Sequence, residues 1–498
     1  MSDTAAAAVQ PGTKGLTKII LASSVGTMVE WYDFYIFGSL AAVIASKFYS
    51  TGTPIGDMIA WLAAFAVGFI VRPFGAIVFG RVGDLIGRKY TFIVTMTLMG
   101  LCTFAVGLLP TKDSIGVWAG IILIFLRILQ GLALGGEYGG AATYVAEHSP
   151  NKRRGFFTSW IQITATAGLF MSLGVIMATR MIVGEEAFNA WGWRVPFILS
   201  AVLVAVSLYI RASLKESPLF SGLKKSGGLS KNPIKESFGN PYNLKWVLLA
   251  LFGATMGQGV VWYTGQFYAL FYLQKVFHVA LLPSNVIVAG ALLVATPLFV
   301  FFGWLSDRIG RKKIMLTGML LAVLTWYPLY GIMAAFAPAT YAQPAVAATA
   351  TSAAVAANPA VPVVFQQFLV PYQGYNPWVL GICIFFQVLY VTMVYGPIAA
   401  FLVELFPTKI RYTSMSLPYH IGNGVFGGLV PIIGLSLLEA TKNNYAGLWY
   451  PMAITAICFV VGALIVPETH GVDIHSGESM ADGKDRSRPL PQLEPDEV

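Results

Sequence analysis

Long apolar runs alternate with short polar segments along almost the whole chain. A helix that crosses a bilayer needs about 20 consecutive, mostly apolar residues. Backbone groups inside lipid must be hydrogen-bonded within their own segment, so each such run is expected to be helical. The pattern predicts twelve membrane-spanning helices, at residues 17–45, 58–80, 91–109, 116–147, 156–182, 191–212, 245–274, 284–306, 314–336, 377–405, 413–438 and 446–466.

One further apolar stretch, residues 337–376, is not expected to cross the membrane. It carries no charge, but five prolines interrupt it and its central part consists mostly of Ala and Thr. Proline removes a backbone donor and breaks helices, which argues against a continuous span. We expect a loop on the outer side of the membrane, which is either a passive spacer or a lid over a pathway.

One polar phrase occurs twice, as GRVGDLIGRK at 80–89 and as GWLSDRIGRKK at 303–313. Gly80, Asp84, Gly87, Arg88 and Lys89 recur in the second copy at a constant offset of 223, and each copy lies between two predicted spans. A repeat at a fixed offset indicates a duplicated unit. The predicted fold is therefore an all-α integral membrane protein, with twelve transmembrane helices in two pseudo-symmetric six-helix bundles.

The long polar stretch 213–244 separates the first six predicted spans from the last six. It is expected to be a linker between the two bundles. The predicted organisation is a tail at 1–16, a first bundle at 17–212, the linker at 213–244, a second bundle at 245–466 with an outward insertion at 337–376, and a tail at 467–498.

Composition and charge agree with a membrane protein and predict its orientation. Of the 498 residues 56% are hydrophobic and only 11% are charged, against about 25% charged in a soluble domain. Of the 32 Lys and Arg residues, 24 lie in the tails and loops on the side of the N-terminus. Loops rich in Lys and Arg face the cytoplasm, so both tails are expected there. The net charge of +9 then reflects topology, and no nucleic-acid partner is expected.

The duplicated G-x-x-x-D-x-x-G-R-K turn resembles the signature of the major facilitator superfamily. Other phrases are similar to one branch of it, the metabolite:proton symporters. They are EWYDF at 30–34, RPFGAIVFGRVGDLIGRK at 72–89, RILQGLALGGEYGGA at 127–141, WGWRVPF at 191–197 and ELFPTKIRYTSMS at 404–416. The resemblance implies a multi-pass protein of a bacterial inner membrane that carries small organic acids or zwitterions. The chain departs from the branch at Thr27, where many members have Asn, and at the insertion 337–376.

Ionisable groups inside the predicted spans are candidates for proton coupling, because such groups are costly in lipid. Glu30 and Asp33 lie one turn apart near the middle of span 1, about 4.5 Å along the helix axis. Two carboxylates this close in a low-dielectric site are not expected to be ionised together. Arg127 of span 4, also near the middle of the bilayer, is the expected counter-ion.

We expect Asp33 to pair with Arg127 when it is ionised. Protonation of Asp33 then frees Arg127 to bind an anionic group of the substrate through two parallel hydrogen bonds. An acid on span 1 that faces an arginine on span 4 is similar to the arrangement in proton-coupled sugar carriers of the superfamily. The alternative is a purely structural ion pair, and Glu30 either shares in proton coupling or only orients its neighbours.

The second half has polar and aromatic residues in its predicted spans but few charges. Gln258, Trp262 and Gln266 recur every four residues, so they form one stripe of a helix that is expected to face the bundle interior. The alternative for these side chains is plain hydrogen bonding between helices. The candidate substrate-binding residues are Trp31, Tyr32, Arg127, Gln258, Trp262, Tyr263, Gln266, Gln387, Tyr395, His420 and Asn423.

The charged turns are expected to form a cytoplasmic gate. Asp84 and Arg88, with their copies Asp307 and Arg311, would hold the two bundles together in the outward-open state, and Asp84 can lie at a helix N-terminus. The alternative is that these charges only set topology. On the inner half, Glu137 is expected to be a gate partner of Arg72, a second protonation site, or a structural residue.

The function predicted is a secondary transporter that works by alternating access and imports a small organic acid, a mono- or dicarboxylate, together with protons. The alternative solute is a zwitterion such as proline or betaine, for which Trp31, Tyr32, Trp262 and Tyr263 can supply a cation–π cage. A transporter-like sensor without turnover is the alternative of another class. The chain lacks the phosphate-binding GxxxxGK[ST] loop of an ATP-driven pump. We expect no enzyme activity, cofactor or metal, and a monomer in the lipid bilayer.

Overall fold

The computed structural model describes residues 13–49, 60, 64, 67–279, 281–337, 376–476 and 479–480. The predicted outer loop and most of both predicted tails lie outside these residues. Twelve long helices make up most of the described chain. They are α1 (Thr13–Ser39), α2 (Arg72–Leu85), α3 (Arg88–Leu108), α4 (Trp118–His148), α5 (Arg154–Val183), α6 (Arg194–Ala212), α7 (Pro241–Lys275), α8 (Leu281–Ile309), α9 (Arg311–Ala335), α10 (Pro377–Leu405), α11 (Arg411–Thr441) and α12 (Ala446–Leu464).

Ten of these helices, α3 to α12, are long and apolar enough to cross a membrane within the described part of the chain. The helices follow the predicted spans closely, and α10 coincides with the predicted span 377–405. Span 2 differs, because α2 continues to Leu85 instead of ending at residue 80. The polar residues that suggested an end are not solvated there, since Asp84 is fully buried.

The helices pack as two bundles, and the most extensive contacts between the bundles are made by two pairs of helices. In the first bundle α1 packs on α5, and α3 packs on α4 and α6; in the second, α10 packs on α8 and α9. Between the bundles α5 packs on α8, and α2 packs on α11. The two pairs are equivalent if the bundles are related by a two-fold axis. This arrangement agrees with the predicted twelve-helix, two-bundle fold.

Both repeated turns lie at one end of the molecule, which we call the turn face; the other end is the opposite face. The N-terminal part of α1 starts at the turn face, where Leu16 and Ile20 pack against Phe92, Tyr144 and Leu214. Helix α1 therefore runs from the turn face to the opposite face.

The linker between the bundles is partly helical and packs on the turn face. Its two short helices, Pro218–Lys225 and Pro233–Phe238, begin at Ser217 and Asn232, whose side chains accept backbone N–H groups of the first turn. Such N-caps satisfy donors that a helix start leaves free. Within the first short helix, Phe220 is almost fully buried. Its ring lies under the guanidinium of Arg88, which belongs to the first repeated turn.

Two helices of the second bundle depart from regular α-helical geometry near the centre of the molecule. Helix α7 contains π-helical segments at Leu251–Thr255 and Thr264–Tyr268, and α11 contains one at Ile421–Gly427. A π-helical turn holds an extra residue, so it changes which side chains face a given neighbour. The two helices also approach closely, since a Cβ on Gly259 would lie 2.5 Å from the carbonyl oxygen of Gly422.

Candidate functional site

A small cavity lies between the two bundles. Helices α1, α2 and α4 of the first bundle and α7, α10 and α11 of the second contribute its walls. The lining residues are Thr27, Glu30, Trp31, Arg72, Tyr138, Trp262, Tyr263, Tyr395, Tyr419, His420 and Asn423. Six of the eleven are aromatic, and one carboxylate and one guanidinium face the same space.

Aromatic contacts between the bundles close the cavity on the side of the opposite face; we call them the roof. The rings of Trp31 and Trp262 lie 5.4 Å apart. Phe267 of α7 lies 6.2 Å from Phe34 and is stacked 6.5 Å from Tyr35, both on α1. The roof therefore joins α1 to α7.

Three tyrosines close the cavity on the side of the turn face; we call them the floor. Tyr138 of the first bundle is stacked on Tyr419 of the second, with ring centroids 3.6 Å apart and planes within 4° of parallel. The hydroxyls of Tyr419 and Tyr395 are 2.6 Å apart, and Gln162 donates to the Tyr138 hydroxyl at 2.9 Å. Roof and floor thus lie on opposite sides of the cavity, toward the two faces of the molecule.

The charged groups of the cavity have polar atoms available to a ligand. Oε2 of Glu30 and Nε of Arg72 are buried and have no hydrogen-bond partner within the described residues. The same holds for Nε2 of His420. The guanidinium of Arg72 lies 4.4 Å from the ring centre of Phe69, and it forms no ion pair with any described residue. Buried polar atoms are normally bonded, so these side chains mark a candidate binding site.

Arg72 is assigned to the gate by sequence reasoning, and the structure places it in the cavity instead. It stands twelve residues before Asp84 on α2, which corresponds to about 18 Å along the helix. This distance puts Arg72 at the level of Glu30 rather than at the turn face.

Asp33 and Arg127 lie beside the cavity, inside the first bundle. Thr103 donates to Oδ2 of Asp33 at 2.8 Å, and Gln130 donates to Oγ1 of Thr103 at 2.6 Å. Nη1 of Arg127 donates to Oε1 of Gln130 at 2.8 Å. The predicted pair thus belongs to one polar network, but neither member is among the described residues that line the cavity. The expectation that Arg127 contacts the substrate does not fit this placement.

Several other predicted binding residues also lie outside the lining. The hydroxyl of Tyr32 donates to the Pro196 carbonyl at 2.7 Å, within the first bundle. The amides of Gln258 and Asn423 donate to each other, so Gln258 orients Asn423, which does line the cavity. Gln266 and Gln387 are buried away from it.

The predicted stripe fails beyond Trp262 because the π-helical segment begins two residues later, at Thr264. The extra residue in that turn rotates Gln266 off the line that a regular helix would give it. Of the three stripe residues, Trp262 lines the cavity, and Gln258 contacts the lining residue Asn423 instead.

Sequence reasoning missed Thr27, Tyr138 and Tyr419 as lining residues. The sequence does contain a feature that points to Tyr138, because it is a large aromatic residue within the small-residue run GGEYGG. Thr27 also had one, since it precedes Glu30 by three residues and so shares its helix face.

At the turn face, each repeated turn binds the start of a helix in the other bundle. Asp84 accepts the backbone N–H of Thr413 at 2.8 Å and of Tyr412 at 3.3 Å, both in the first turn of α11. Asp307 accepts the N–H groups of Gly155 and Phe156, in the first turn of α5, at 2.8 and 2.7 Å. Both carboxylates are placed where the helix dipole favours an anion. These reciprocal contacts join the two bundles.

Two further buried carboxylates complete the turn-face contacts, and sequence reasoning missed them. Glu147 binds Arg411 at 2.9 Å and lies 3.7 Å from Arg88. Glu404 binds Arg154 at 2.6 Å and Arg311 at 3.1 Å. A signal was present in the sequence, because each carboxylate precedes an arginine by seven residues and the two pairs repeat at an offset of 257.

Glu137 does not pair with Arg72, so that predicted role is wrong. Its Oε1 lies 2.5 Å from Nη2 of Arg211, and Thr95 donates to its Oε2 at 3.2 Å. Arg211 lies near the end of the predicted span 191–212 and is buried inside the last turn of α6.

Comparison with known proteins identifies the family to which the chain belongs. Residues 18–480 match the sugar (and other) transporter family. A solved structure of a proton:xylose symporter, bound to 6-bromo-6-deoxy-D-glucose, has the same fold with a TM-score of 0.69; it is 16% identical, and the match covers 95% of this chain and 98% of that one. The chain therefore belongs to the sugar (and other) transporter family, within the major facilitator superfamily.

Curated relatives are more similar in sequence. The chain is 31% identical over 472 residues to a glycine betaine/proline/ectoine/pipecolic acid transporter of Dickeya dadantii, a match that covers 91% of this chain and 84% of the relative. It is 32% identical over 460 residues to a proline/betaine transporter of Escherichia coli K12, a match that covers 90% and 83%.

Asp84→Asn is expected to open the turn face. The substitution removes the anion that accepts two N–H groups of α11 and that pairs with Arg88 at 3.1 Å. Loss of a charged acceptor costs about 2 kcal/mol, or roughly a 30-fold change in the ratio of open to closed molecules. Distances between spin labels on the exposed Ile86 and Ile309, measured by pulsed electron paramagnetic resonance, would report the opening.

Asp113→Asn, an exposed site in the short helix Lys112–Ile115 near the opposite face, is the matched control. It removes the same charge without touching the turns, so its distances should equal those of the wild type. Unchanged distances in Asp84→Asn would show that the turn charges do not hold the bundles together.

Proposed function

We propose that the protein is a proton-coupled symporter of a small zwitterionic solute, such as proline or a betaine. The cavity carries the proposal, because one guanidinium, one carboxylate and six aromatic rings line a single space between the bundles. A solute with a carboxylate and an ammonium group matches this set. The two similar relatives named for betaine and proline transport support the same choice of solute.

A simple organic anion, our first expectation from the sequence, fits the cavity less well. That expectation rests on two arginines inside the spans, Arg72 and Arg127. Only Arg72 lines the cavity, and it shares the space with Glu30. A di- or tricarboxylate would therefore meet one cation and a second carboxylate, whereas a zwitterion brings no excess negative charge.

In the proposed binding mode Arg72 binds the carboxylate of the solute, because a guanidinium donates two parallel hydrogen bonds to it. The ammonium group lies against the rings of Trp31, Trp262 and Tyr263. The face of an aromatic ring attracts a cation, and for a desolvated cation this is worth about 2 kcal/mol. The reciprocal amide pair of Gln258 and Asn423 holds the Asn423 side chain in place at the wall.

Proton coupling follows from competition for Arg72. When Glu30 is ionised, it attracts Arg72 across the cavity and competes with the solute carboxylate. When Glu30 is protonated, the attraction is lost and Arg72 is available to the solute. This is the competition expected from the sequence for Asp33 and Arg127, now placed on the pair that faces the cavity.

Alternating access uses the roof and the floor. The cavity opens to the opposite face when the roof between α1 and α7 separates, and to the turn face when Tyr138 leaves Tyr419 and the helix-start contacts of Asp84 and Asp307 break. We take the turn face to be cytoplasmic, because the Lys- and Arg-rich loops lie there. In a bacterium the proposed location is the inner membrane.

The proposal is tested with purified protein in liposomes that contain a pH-sensitive dye. Single solutes are added outside: proline, glycine betaine, and mono-, di- and tricarboxylates. We expect proline or betaine to trigger acidification of the lumen and carboxylates to have no effect. Protein-free liposomes and a protonophore are the controls. Acidification that only carboxylates trigger would contradict the proposal that the solute is a zwitterion. If folded protein gave no acidification with any solute, the proposal of proton symport would be wrong.

A further inference from the structure

A buried ion pair lies inside the first bundle, on the turn-face side of the cavity. Glu137 of α4 and Arg211 of α6 are joined by two contacts, at 2.5 and 3.3 Å, and their side chains are 2% and 1% exposed. Glu137 stands eleven residues before the end of α4, about 16 Å from the turn-face end. This distance makes it too deep for a topology-setting charge, and the solute site described above does not use it.

The ion pair is directly connected to the helix that carries Glu30. A Cβ on Gly26 of α1 would lie 1.8 Å from Nη2 of Arg211, so the guanidinium rests against the α1 backbone at that point. Gly26 and Glu30 are four residues apart and share one face of α1. Arg211 therefore lies one helical turn below Glu30, and Glu30 interacts electrostatically with both Glu137 and Arg211.

The same ion pair adjoins the contact between the bundles. The hydroxyl of Tyr412, the second residue of α11, donates to the carbonyl of Gly136, which precedes Glu137. The ring of Tyr412 fills a slot in which a Cβ on Gly83 would lie 2.1 Å from it, and one on Gly139 would lie 3.0 Å from it. A change at Glu137 is therefore expected to alter the packing of Tyr412, a residue of the other bundle.

We propose that Glu137 is a second proton site, placed between Glu30 and the turn face, and that Arg211 is the cation shared by the two carboxylates. This inference rests on the proposed proton symport. The proton leaves the Glu30 carboxyl and binds the Glu137 carboxylate, while Arg211 stays protonated throughout. Glu137 then loses its ion pair, and Arg211 turns toward the newly ionised Glu30.

The exchange has a defined consequence for the gate. When Glu137 is protonated, its ion pair with Arg211 is lost. The segment of α4 against which Tyr412 packs is then held less firmly, and this happens only after the proton has passed the cavity. Opening of the turn face is thereby tied to proton transfer. The charged or titratable groups around Glu137 are Arg211 of α6, Glu30 of α1, Tyr412 of α11 and, through Glu30, Arg72 of α2.

Two variants separate a proton site from a structural pair. Glu137→Gln cannot ionise, but it leaves Arg211 buried without a counter-charge, which by itself is destabilising. The double variant Glu137→Gln with Arg211→Gln removes both charges and keeps two amides that can bond to each other. Glu185→Gln, an exposed carboxylate near the opposite face, is the matched control.

Each variant is measured in liposomes in two ways. Counterflow of labelled proline or betaine at equal pH on both sides needs no net proton movement, whereas accumulation against a gradient, driven by a pH difference, does. We expect the single variant Glu137→Gln and the double variant to retain measurable counterflow and to lose at least tenfold in accumulation and in solute-triggered acidification. Glu137→Asp, which keeps an ionisable group one methylene shorter, should accumulate solute with a shifted pH profile.

The outcomes distinguish this inference from the proposed function. If the wild-type protein shows no solute-triggered acidification, proton symport itself fails. If the wild type couples and the double variant regains full accumulation, the pair is structural and the inference alone is overturned. An unshifted pH profile in Glu137→Asp, together with full coupling in Glu137→Gln, would overturn it as well.

Discussion

Replacing Arg72 with glutamine is expected to weaken the binding of a zwitterionic solute by about 100-fold. Arg72 is the guanidinium that lines the cavity, and it has no ion pair with any described residue. Truncating one partner of a buried, hydrogen-bonded charge pair costs about 2–5 kcal/mol, and 100-fold corresponds to about 2.8 kcal/mol. Isothermal titration calorimetry of the purified protein with proline or betaine measures the change directly.

Two matched arginine variants give this experiment its controls. Arg180→Gln removes a half-exposed arginine near the opposite face and should bind solute as the wild type does. Arg127→Gln tests the prediction made from sequence, because Arg127 belongs to the network beside the cavity. If Arg127→Gln abolished binding while Arg72→Gln left it intact, the solute carboxylate would lie at Arg127 and the assignment of Arg72 would be wrong.

Replacing Glu30 with glutamine is expected to uncouple transport from protons. Glutamine imitates the protonated carboxyl and cannot ionise, so Arg72 stays available to the solute and exchange continues. Accumulation driven by a pH gradient should fall at least tenfold, since the proton that drives it has lost its acceptor. The readouts are exchange of labelled solute and solute-triggered acidification in liposomes.

The pH dependence of binding has a definite sign. Lowering the pH protonates Glu30 in the wild type, removes the competitor for Arg72 and raises the affinity for the solute; raising the pH lowers it. In Glu30→Gln the affinity should not change with pH over the same range. A wild-type affinity that rises with pH would contradict the competition.

Asp33→Asn, made in parallel with Glu30→Gln, decides between the two acids of α1. Sequence alone favours Asp33, whereas the cavity favours Glu30. If Asp33→Asn uncouples transport and Glu30→Gln does not, the proton is carried by the network of Asp33, Thr103, Gln130 and Arg127.

The helices could be predicted because a single physical demand determines them. Lipid requires long apolar segments with internal backbone bonds, and α10 accordingly begins and ends at the predicted residues 377 and 405. The role of Asp84 at a helix start was also within reach, since the repeated turn places an anion between two helices. The helix whose start it binds, α11 of the other bundle, could not be read from local sequence.

The cavity was harder to predict because its lining depends on how each helix is rotated. Glu30 and Asp33 are three residues apart on a helix, which leaves about 60° between their directions. That angle is enough to place Glu30 in the cavity and Asp33 in the first bundle. The placement of Gln266 depends on a π-helical turn, and the pairing of Arg211 with Glu137 depends on how α4 and α6 face each other. In each case contacts with another helix determine where the side chain lies. The residue pattern along a single helix does not contain that information.

The reciprocal turn-face contacts are those of an isologous interface. The carboxylate of one bundle binds the start of a helix in the other, Asp84 on α11 and Asp307 on α5, and the relation is the same in both directions. The two bundles therefore contact each other as the two copies of a homodimer would. The symmetry does not extend to the cavity, because among the described lining residues both charges come from the first half, whereas the second half supplies aromatic rings, an imidazole and an amide.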